Sequence, residues 1–186
     1  MPILLEPRDV TEDLKGFKSV LIVSCPMCPP MSLAMQKKKP FIELFKHGIK
    51  TEVFEDYIKS VREPLEQRGV QTEVYTTRVP SPLMCLWTQG QRDAFLERAR
   101  KYEAVLVMGC TSAISTVKEV LKNTDCRIIP AMRMKAIANA TMKFRFPFTI
   151  GLDMHPKRKH RKVRQHGNAA RKVRENRRAA LSPSQR

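Results

Sequence analysis

Ser19-Val20-Leu21-Ile22-Val23 is the stretch that decides the fold. It is a short, unbroken apolar run rich in β-branched side chains, which is typical of a strand buried on both faces at the centre of a parallel sheet. The run ends at Ser24-Cys25-Pro26-Met27-Cys28, where small polar residues and a proline indicate a turn. The stretch therefore predicts a central parallel strand with two cysteines directly after its carboxyl end.

Further along the chain, apolar runs alternate with segments of helical periodicity. Thr51 is predicted to cap one helix and Gly69 to end it, while Ser32 is a candidate cap for the helix after the first strand. Strands are predicted over 19–23, 70–76, 104–108 and 127–130, and helices near 51–69, 89–101 and 113–121. This alternation describes βαβ units and indicates an α/β, Rossmann-like or flavodoxin-like fold with a mostly parallel sheet and flanking helices.

The end of the predicted domain follows a different pattern. Apolar and other residues alternate over 143–152, and this period of two predicts a strand with one buried and one solvated face. Pro147 cannot donate to a strand ladder, which favours an edge position. Because the pattern stops after Asp153, we expect an α/β domain over 1–154 and a basic extension over 155–186.

Most of the positive charge lies in that extension. The chain carries a formal net charge of +17, and residues 155–186 hold twelve Lys or Arg against one acid, Glu175. Like charges at this density repel one another, so the segment is expected to be disordered alone or to become helical on binding. A segregated cationic arm favours a polyanionic partner.

RNA or a ribonucleoprotein is the predicted partner of the extension, because no DNA-reading motif is visible and arginine-rich segments fold against RNA. A solvated tail, an acidic protein and, less favoured, an anionic membrane surface remain alternatives. The predicted phosphate-contacting residues are Lys157, Arg158, Lys159, Arg161, Lys162, Arg164, Arg171, Lys172, Arg174, Arg177 and Arg178.

The sequence argues against export, membrane insertion and nucleotide binding. The N-terminus has no secretory signal pattern and no apolar run approaches the ~18 residues of a membrane span, so we expect a cytoplasmic protein. The chain has seven glycines and neither a Gly-x-Gly-x-x-Gly element nor a P-loop, so no nucleotide cofactor is expected.

Four of the five cysteines are predicted to approach one edge of the sheet. Cys25 and Cys28 follow the first strand, Cys110 follows the third, and Cys85 lies in a Pro-rich loop after the second. Ligands bind at the carboxyl ends of strands in open parallel sheets. Cys126 precedes a strand and is expected at the opposite end, in the core.

These thiols allow more than one chemistry. As ligands they would select zinc, copper(I) or an iron–sulfur cluster, so Cys25, Cys28, Cys110 and Cys85 are candidate metal ligands. As reactive thiols at a turn and a helix start they would support redox or nucleophilic chemistry. Free cysteine also packs as a small apolar residue, so a silent core is a third interpretation.

Several short resemblances bear on this choice. Cys25-Pro26-Met27-Cys28 is similar to the glutaredoxin motif, with Val79-Pro80 in the place of its cis-proline segment, which implies thiol–disulfide exchange. Gly109-Cys110-Thr111 resembles the second cysteine motif of aspartate/glutamate racemases, which implies two-thiol proton chemistry. Cys25, Cys28 and Gly109-Cys110 also resemble the cysteine positions of hydrogenase small subunits, which implies an iron–sulfur cluster completed by Cys85.

The segment from Ser24 to Ala34 resembles an uncharacterised family of small Rossmann-like proteins in methanogenic archaea. In that family a Cys-Pro-x-x-Pro element follows the first strand and precedes a Ser-Leu-Ala helix start. The resemblance implies an accessory role in anaerobic archaeal metabolism, beside a metal or corrinoid enzyme.

Taken together, the sequence predicts a binding or accessory protein with a cysteine-thiolate site, metal or iron–sulfur, and an RNA-binding extension. A cysteine-dependent redox enzyme and a ribosome- or RNA-associated protein with a silent core are the alternatives.

Overall fold

A computed structural model of the chain describes residues 3–47, 50–76, 79–137, 139–146 and 148–154. The predicted RNA-binding residues of the extension lie outside this part of the chain. The elements, in chain order, are β1 (Ile3–Pro7), β2 (Ser19–Ser24), α1 (Cys28–Lys37), β3 (Ile42–Glu43), α2 (Leu44–His47), α3 (Glu52–Gln67), β4 (Gln71–Tyr75), a 3-10 turn (Met84–Leu86), α4 (Gln89–Ala99), β5 (Ala104–Met108), α5 (Thr111–Val120), β6 (Arg127–Pro130), β7 (Met132–Ile137), β8 (Ala140–Arg145) and β9 (Thr149–Met154).

A four-stranded parallel sheet forms the centre of the domain, with the strand order β4-β2-β5-β6. The two interior strands pair in parallel from Val20 opposite Ala104 to Ser24 opposite Met108. Every residue of β5 is buried, as is every residue of β2 after Ser19. The predicted parallel α/β architecture is therefore confirmed, and it is consistent with a Rossmann-like fold.

Helix α1 begins earlier than the sequence suggested. Its first turn contains Cys28, Pro29 and Pro30, and proline is well tolerated there because the first N–H groups of a helix have no internal partner. Ser32 is therefore not a cap, which corrects the sequence interpretation. Its buried hydroxyl accepts a hydrogen bond from the Leu5 N–H at 2.9 Å and ties α1 to β1.

Helix α3 has the limits that its sequence predicted. Thr51 is the N-cap residue, but its hydroxyl donates to the Phe41 carbonyl at 2.7 Å and caps no N–H group. Gly69 follows the helix with a φ of 76°, a left-handed conformation that favours glycine. The Tyr57 hydroxyl donates to the Ala131 carbonyl at 3.2 Å and connects α3 to the end of the parallel sheet.

Two small antiparallel sheets complete the domain. Strand β1 pairs with β7, and β9 lies between β3 and β8. The single strand predicted over 143–152 is wrong: this segment belongs to a hairpin whose first strand, β8, ends at Arg145 and whose second strand, β9, begins at Thr149. Strand β8 is an edge strand among the described residues, and Pro147, on which the edge prediction rested, lies outside them. In the described part of the chain, no helix has the length and apolar character needed to cross a membrane.

The turn between β5 and α5 requires a residue without a side chain. A Cβ added to Gly109 would lie 2.6 Å from the Cβ of Ala113 and 3.9 Å from the Cβ of Cys25. The first distance is a steric overlap inside the core, so the strand and the helix can approach this closely only with glycine at this position.

We therefore expect Gly109→Ala to lower the free energy of unfolding by about 1–3 kcal/mol, as overpacking in a core does. Gly90→Ala in α4 is the matched control, because nothing lies within 4 Å of its added Cβ. The control is expected to stabilise the helix by about 0.5–1 kcal/mol. Urea unfolding of both variants measures the difference, and equal stability of the two would contradict this account of the turn.

Candidate dithiol site

The parallel pairing of β2 and β5 brings three cysteines to one edge of the central sheet. Cys25 continues β2, and its backbone N–H donates to the Met108 carbonyl at the end of β5, at 3.0 Å. Cys28 is the first residue of α1, and Cys110 is the N-cap residue of α5. The predicted convergence of these cysteines is therefore present in the structure.

The side chains of Cys28 and Cys110 lie close enough together for each to shift the pKa of the other. Around Cys110 the nearby Cys28 thiol has the largest effect, and the backbone N–H groups of Ala113 and Ser112 and the Ser112 hydroxyl act in the same direction. These groups lower the pKa of Cys110 to about 5 although burial opposes the shift. They therefore favour the thiolate form of Cys110.

The pKa of Cys28 is shifted in the opposite direction to that of Cys110. The neighbouring Cys110 side chain, the partial burial of Cys28 and the nearby sulfurs of Cys25 and Cys85 all raise this pKa above the ordinary thiol value. In this pair Cys110 therefore loses its proton more easily than Cys28 does. We call this pair of side chains the dithiol.

Cys25 lies beside the dithiol as a neutral thiol. It is 3% exposed, and burial raises its pKa although the backbone N–H groups of Met84, Met27 and Cys28 all donate to its sulfur. For Cys25, burial raises the pKa by more than the three backbone N–H groups lower it, because no side-chain thiol or hydroxyl adds to their effect.

The remaining two cysteines differ in position. Cys85 lies in the 3-10 turn, is exposed, and is close enough to Cys28 for its charge to raise the Cys28 pKa. Cys126 precedes β6 at the opposite end of the sheet, as predicted, and packs partly buried against the core. Its burial raises the pKa of its thiol to about 11.

Among the described residues, no set of three or more His, Cys, Asp or Glu side chains is arranged to hold a metal ion. The four-cysteine ligand set expected from the sequence therefore stays a prediction.

A cleft of about 730 Å³ borders the loop between Cys25 and Cys28. Pro26 and Pro30 line it on the side of that loop, and the charged side chains around it include three cations and one acid. The lining cations are Lys50, Lys59 and Arg62. The cleft lies beside the loop that carries Pro26, and its cations favour a small anionic molecule.

No protein-family model, curated protein or solved structure matches this chain.

Two features of the site can be compared with what the sequence predicted. The Val79–Pro80 peptide bond is cis, as the resemblance to the glutaredoxin segment implied. The role of Ser112 was not predicted: its hydroxyl and N–H both stabilise the Cys110 thiolate. Its position two residues after a cysteine at a predicted helix start is the sequence signal that would have indicated this role.

The lowered pKa of Cys110 is testable by alkylation at varied pH. In a Cys85→Ser background, which removes the exposed thiol, we expect Cys110 to react with a small alkylating reagent along a titration curve centred near pH 5. Its thiolate fraction should then stay constant from about pH 6 to 8.

Cys28→Ala should move this titration upward, since Cys110 loses the neighbour with the largest effect on its pKa, whereas Cys126→Ala should leave it unchanged. Mass spectrometry of alkylated peptides gives the rates at Cys110 itself. A Cys110 rate that continued to rise up to pH 9 in the parent protein would contradict the proposed thiolate.

Proposed function

We propose that the Rossmann-like core is a thiol–disulfide exchange domain whose reactive groups are Cys110 and Cys28. The observation that supports this proposal is the placement of Cys28 and Cys110 at the starts of α1 and α5, beside the carboxyl ends of two paired strands, with their pKa values shifted in opposite directions. A thiolate close to a second thiol is the arrangement that exchange with a disulfide requires.

The reaction balances with a disulfide as the co-reactant. The Cys110 thiolate attacks one sulfur of the substrate disulfide, a mixed disulfide forms, and the first substrate thiolate leaves. Cys28 gives its proton to the departing sulfur and attacks Cys110, which releases the second substrate sulfur as a thiolate. The protein is oxidised to a Cys28–Cys110 disulfide, and the substrate is reduced to one thiol and one thiolate.

Burial restricts the substrate to small disulfides. Cys110 is 5% exposed, so a sulfur at the surface of a folded protein has little access to it. The neighbouring cleft, with its three cations, favours a small anionic disulfide.

The stabilised thiolate favours the reverse of the reaction written above, in which the Cys28–Cys110 disulfide oxidises two small thiols. Whatever stabilises the thiolate stabilises the reduced protein, and therefore makes the disulfide form easier to reduce. We expect the Cys28–Cys110 couple to have a reduction potential less negative than thioredoxin's value of about −270 mV.

The test is equilibration of the Cys85→Ser protein in glutathione buffers, followed by acid quenching and mass spectrometry. The parent should lose two hydrogens and two titratable thiols together, and peptide mapping should show a Cys28–Cys110 bond. Cys126→Ser is the matched control and should behave in the same way, while Cys28→Ser and Cys110→Ser should not form this bond. A disulfide between Cys25 and Cys28, or no oxidation in any buffer, would overturn the proposal.

Soft-metal ligation is the second candidate, favoured by the sulfurs of Cys25 and Cys85 lying close enough to Cys28 to raise its pKa. The residues that would hold zinc or an iron–sulfur cluster are Cys25, Cys28, Cys110 and Cys85. Elemental analysis and a visible spectrum after anaerobic purification distinguish the candidates. Stoichiometric zinc or iron that is lost in Cys25→Ser would favour a metal centre, and metal-free protein that cycles between dithiol and disulfide would favour exchange.

We also propose that the extension over 155–186 binds RNA, on the strength of its excess of eleven positive charges over 32 residues. Replacing Arg171, Lys172 and Arg174 with Gln should weaken binding to RNAs of unrelated sequence alike. The slope of log affinity against log salt should fall by ~0.7 for each lost phosphate contact. Filter binding at several salt concentrations measures both, and an unchanged slope would count against the extension as the binding element.

A further inference from the structure

The β8–β9 hairpin presents aromatic side chains to solvent. Phe144 is 73% exposed, Phe146 95% and Phe148 62%, and Phe45 of α2, which is 71% exposed, packs edge-on against Phe148 with 5.4 Å between ring centroids. We call these four residues the aromatic cluster. Large apolar side chains grouped at a surface mark a binding site more often than single exposed ones do.

Cations lie beside the aromatic cluster in a recess of about 580 Å³ between the end of α1 and the hairpin. Asp153 is the acid among its lining residues and pairs with Lys143, while Lys39 pairs with Glu52 at 3.6 Å. Among the described residues, Lys38 and Arg145 form no ion pair. The charged groups that define this recess, which we call the cationic recess, are Lys38, Lys39, Lys143, Arg145 and Asp153.

The strand register of the hairpin places Phe144 of the aromatic cluster and the β8 cations of the cationic recess on different faces of β8. Phe144 lies opposite Ile150, whereas its neighbours Lys143 and Arg145 lie opposite Gly151 and Thr149. Successive residues of a strand point to opposite faces of the sheet, so the aromatic ring and the two cations lie on the two sides of β8. Because β8 is the edge strand among the described residues, a ligand that contacts both sides has to pass around this edge.

We propose that the β8–β9 hairpin binds single-stranded nucleic acid, with bases stacked on the aromatic cluster and phosphates in the cationic recess. Aromatic side chains stack on any base, and cations along a groove follow the backbone of an unpaired strand. This inference stands on the hairpin residues and does not depend on the dithiol.

Other occupants fit the same surface less well. A bilayer is flat, so it can cover one face of the hairpin but cannot also fill a recess on the opposite face. A second copy of this chain would bring another set of cations to a recess that already holds four. A nucleic-acid strand is both flexible and anionic, and the strongly basic segment that follows β9 directly in the sequence favours the same ligand.

The test uses the full chain and labelled oligo(U) and oligo(dT) of ~16 nucleotides, the upper size of a single-strand site. Phe144→Leu with Phe146→Leu keeps apolar side chains but removes the stacking surfaces, and should weaken binding of the oligonucleotides about five- to a hundredfold. Phe144→Tyr keeps a ring and should bind like the parent. Binding of inorganic polyphosphate, which has no bases, should not change in either variant.

Charge variants test the recess separately. If the phosphates bind in the cationic recess, the double variant Arg145→Gln with Lys38→Gln should reduce the slope of log affinity against log salt. The control variant Arg100→Gln, which removes an exposed cation outside the recess, should leave the slope unchanged. Ultraviolet cross-linking of oligo(U) should place the linked nucleotides on peptides that contain Phe144 and Phe146. Tighter binding of oligo(U) than oligo(dT) would assign the ligand as RNA, and the reverse as single-stranded DNA.

Three outcomes would overturn the proposal. The first is unchanged oligonucleotide affinity in the double Leu variant, with cross-links confined to 155–186, since the extension would then be the whole binding element. The second is retention on phosphatidylserine vesicles that the hairpin variants abolish while oligonucleotide binding persists. The third is a dimer, detected by sedimentation velocity, that the double Leu variant dissociates without a change in nucleic-acid affinity.

Discussion

The parallel pairing of β2 with β5 is the constraint on which the rest of the domain depends. Both strands are buried on both faces, and burial of one large apolar side chain contributes about 1.5–3 kcal/mol, so this pair supplies much of the driving force for folding. Parallel pairing also places both carboxyl ends at the same edge of the sheet. The starts of α1 and α5 therefore meet there, and Gly109 lets α5 approach closely enough for Cys110 to lie beside Cys28.

At that edge of the sheet, small differences in surroundings shift the pKa values of three cysteines in different directions. Cys25 and Cys110 are both buried and both accept backbone N–H groups, yet the pKa of Cys25 is raised and that of Cys110 is lowered. The difference comes from the side chains, since the Cys28 thiol and the Ser112 hydroxyl lower the pKa of Cys110 as well. A charged sulfur is therefore stabilised in the core only where side-chain donors supplement the helix start, and this combination makes Cys110 the reactive group.

The sequence predicted the central sheet well because each of its strands carries its own signal. The runs at 19–23 and 104–108 correspond closely to β2 and β5, since a strand covered on both faces has to be apolar along its length, and the run at 127–130 corresponds to β6. The convergence of Cys25, Cys28 and Cys110 followed from the same topology. The opposite pKa shifts of Cys28 and Cys110 were beyond prediction, because they depend on the side-chain orientations at two helix starts that are 82 residues apart in the sequence.

Strands β1 and β7 and the β8–β9 hairpin are elements that the hydrophobic pattern of the sequence did not predict correctly. Residues 143–152 alternate with a period of two, but the chain reverses direction between Arg145 and Thr149, and periodicity alone does not tell whether anything covers the apolar positions. In the structure Phe144 remains 73% exposed, because β8 is an edge strand and no described element packs over this residue. Exposed rings of this size lose the free energy that burial would provide, so the folded domain alone does not explain why the hairpin carries them. A ligand that stacks on the rings and is attracted by the neighbouring cations would recover that free energy on binding. The hairpin, which was predicted as a single strand, would then have a function separate from the dithiol.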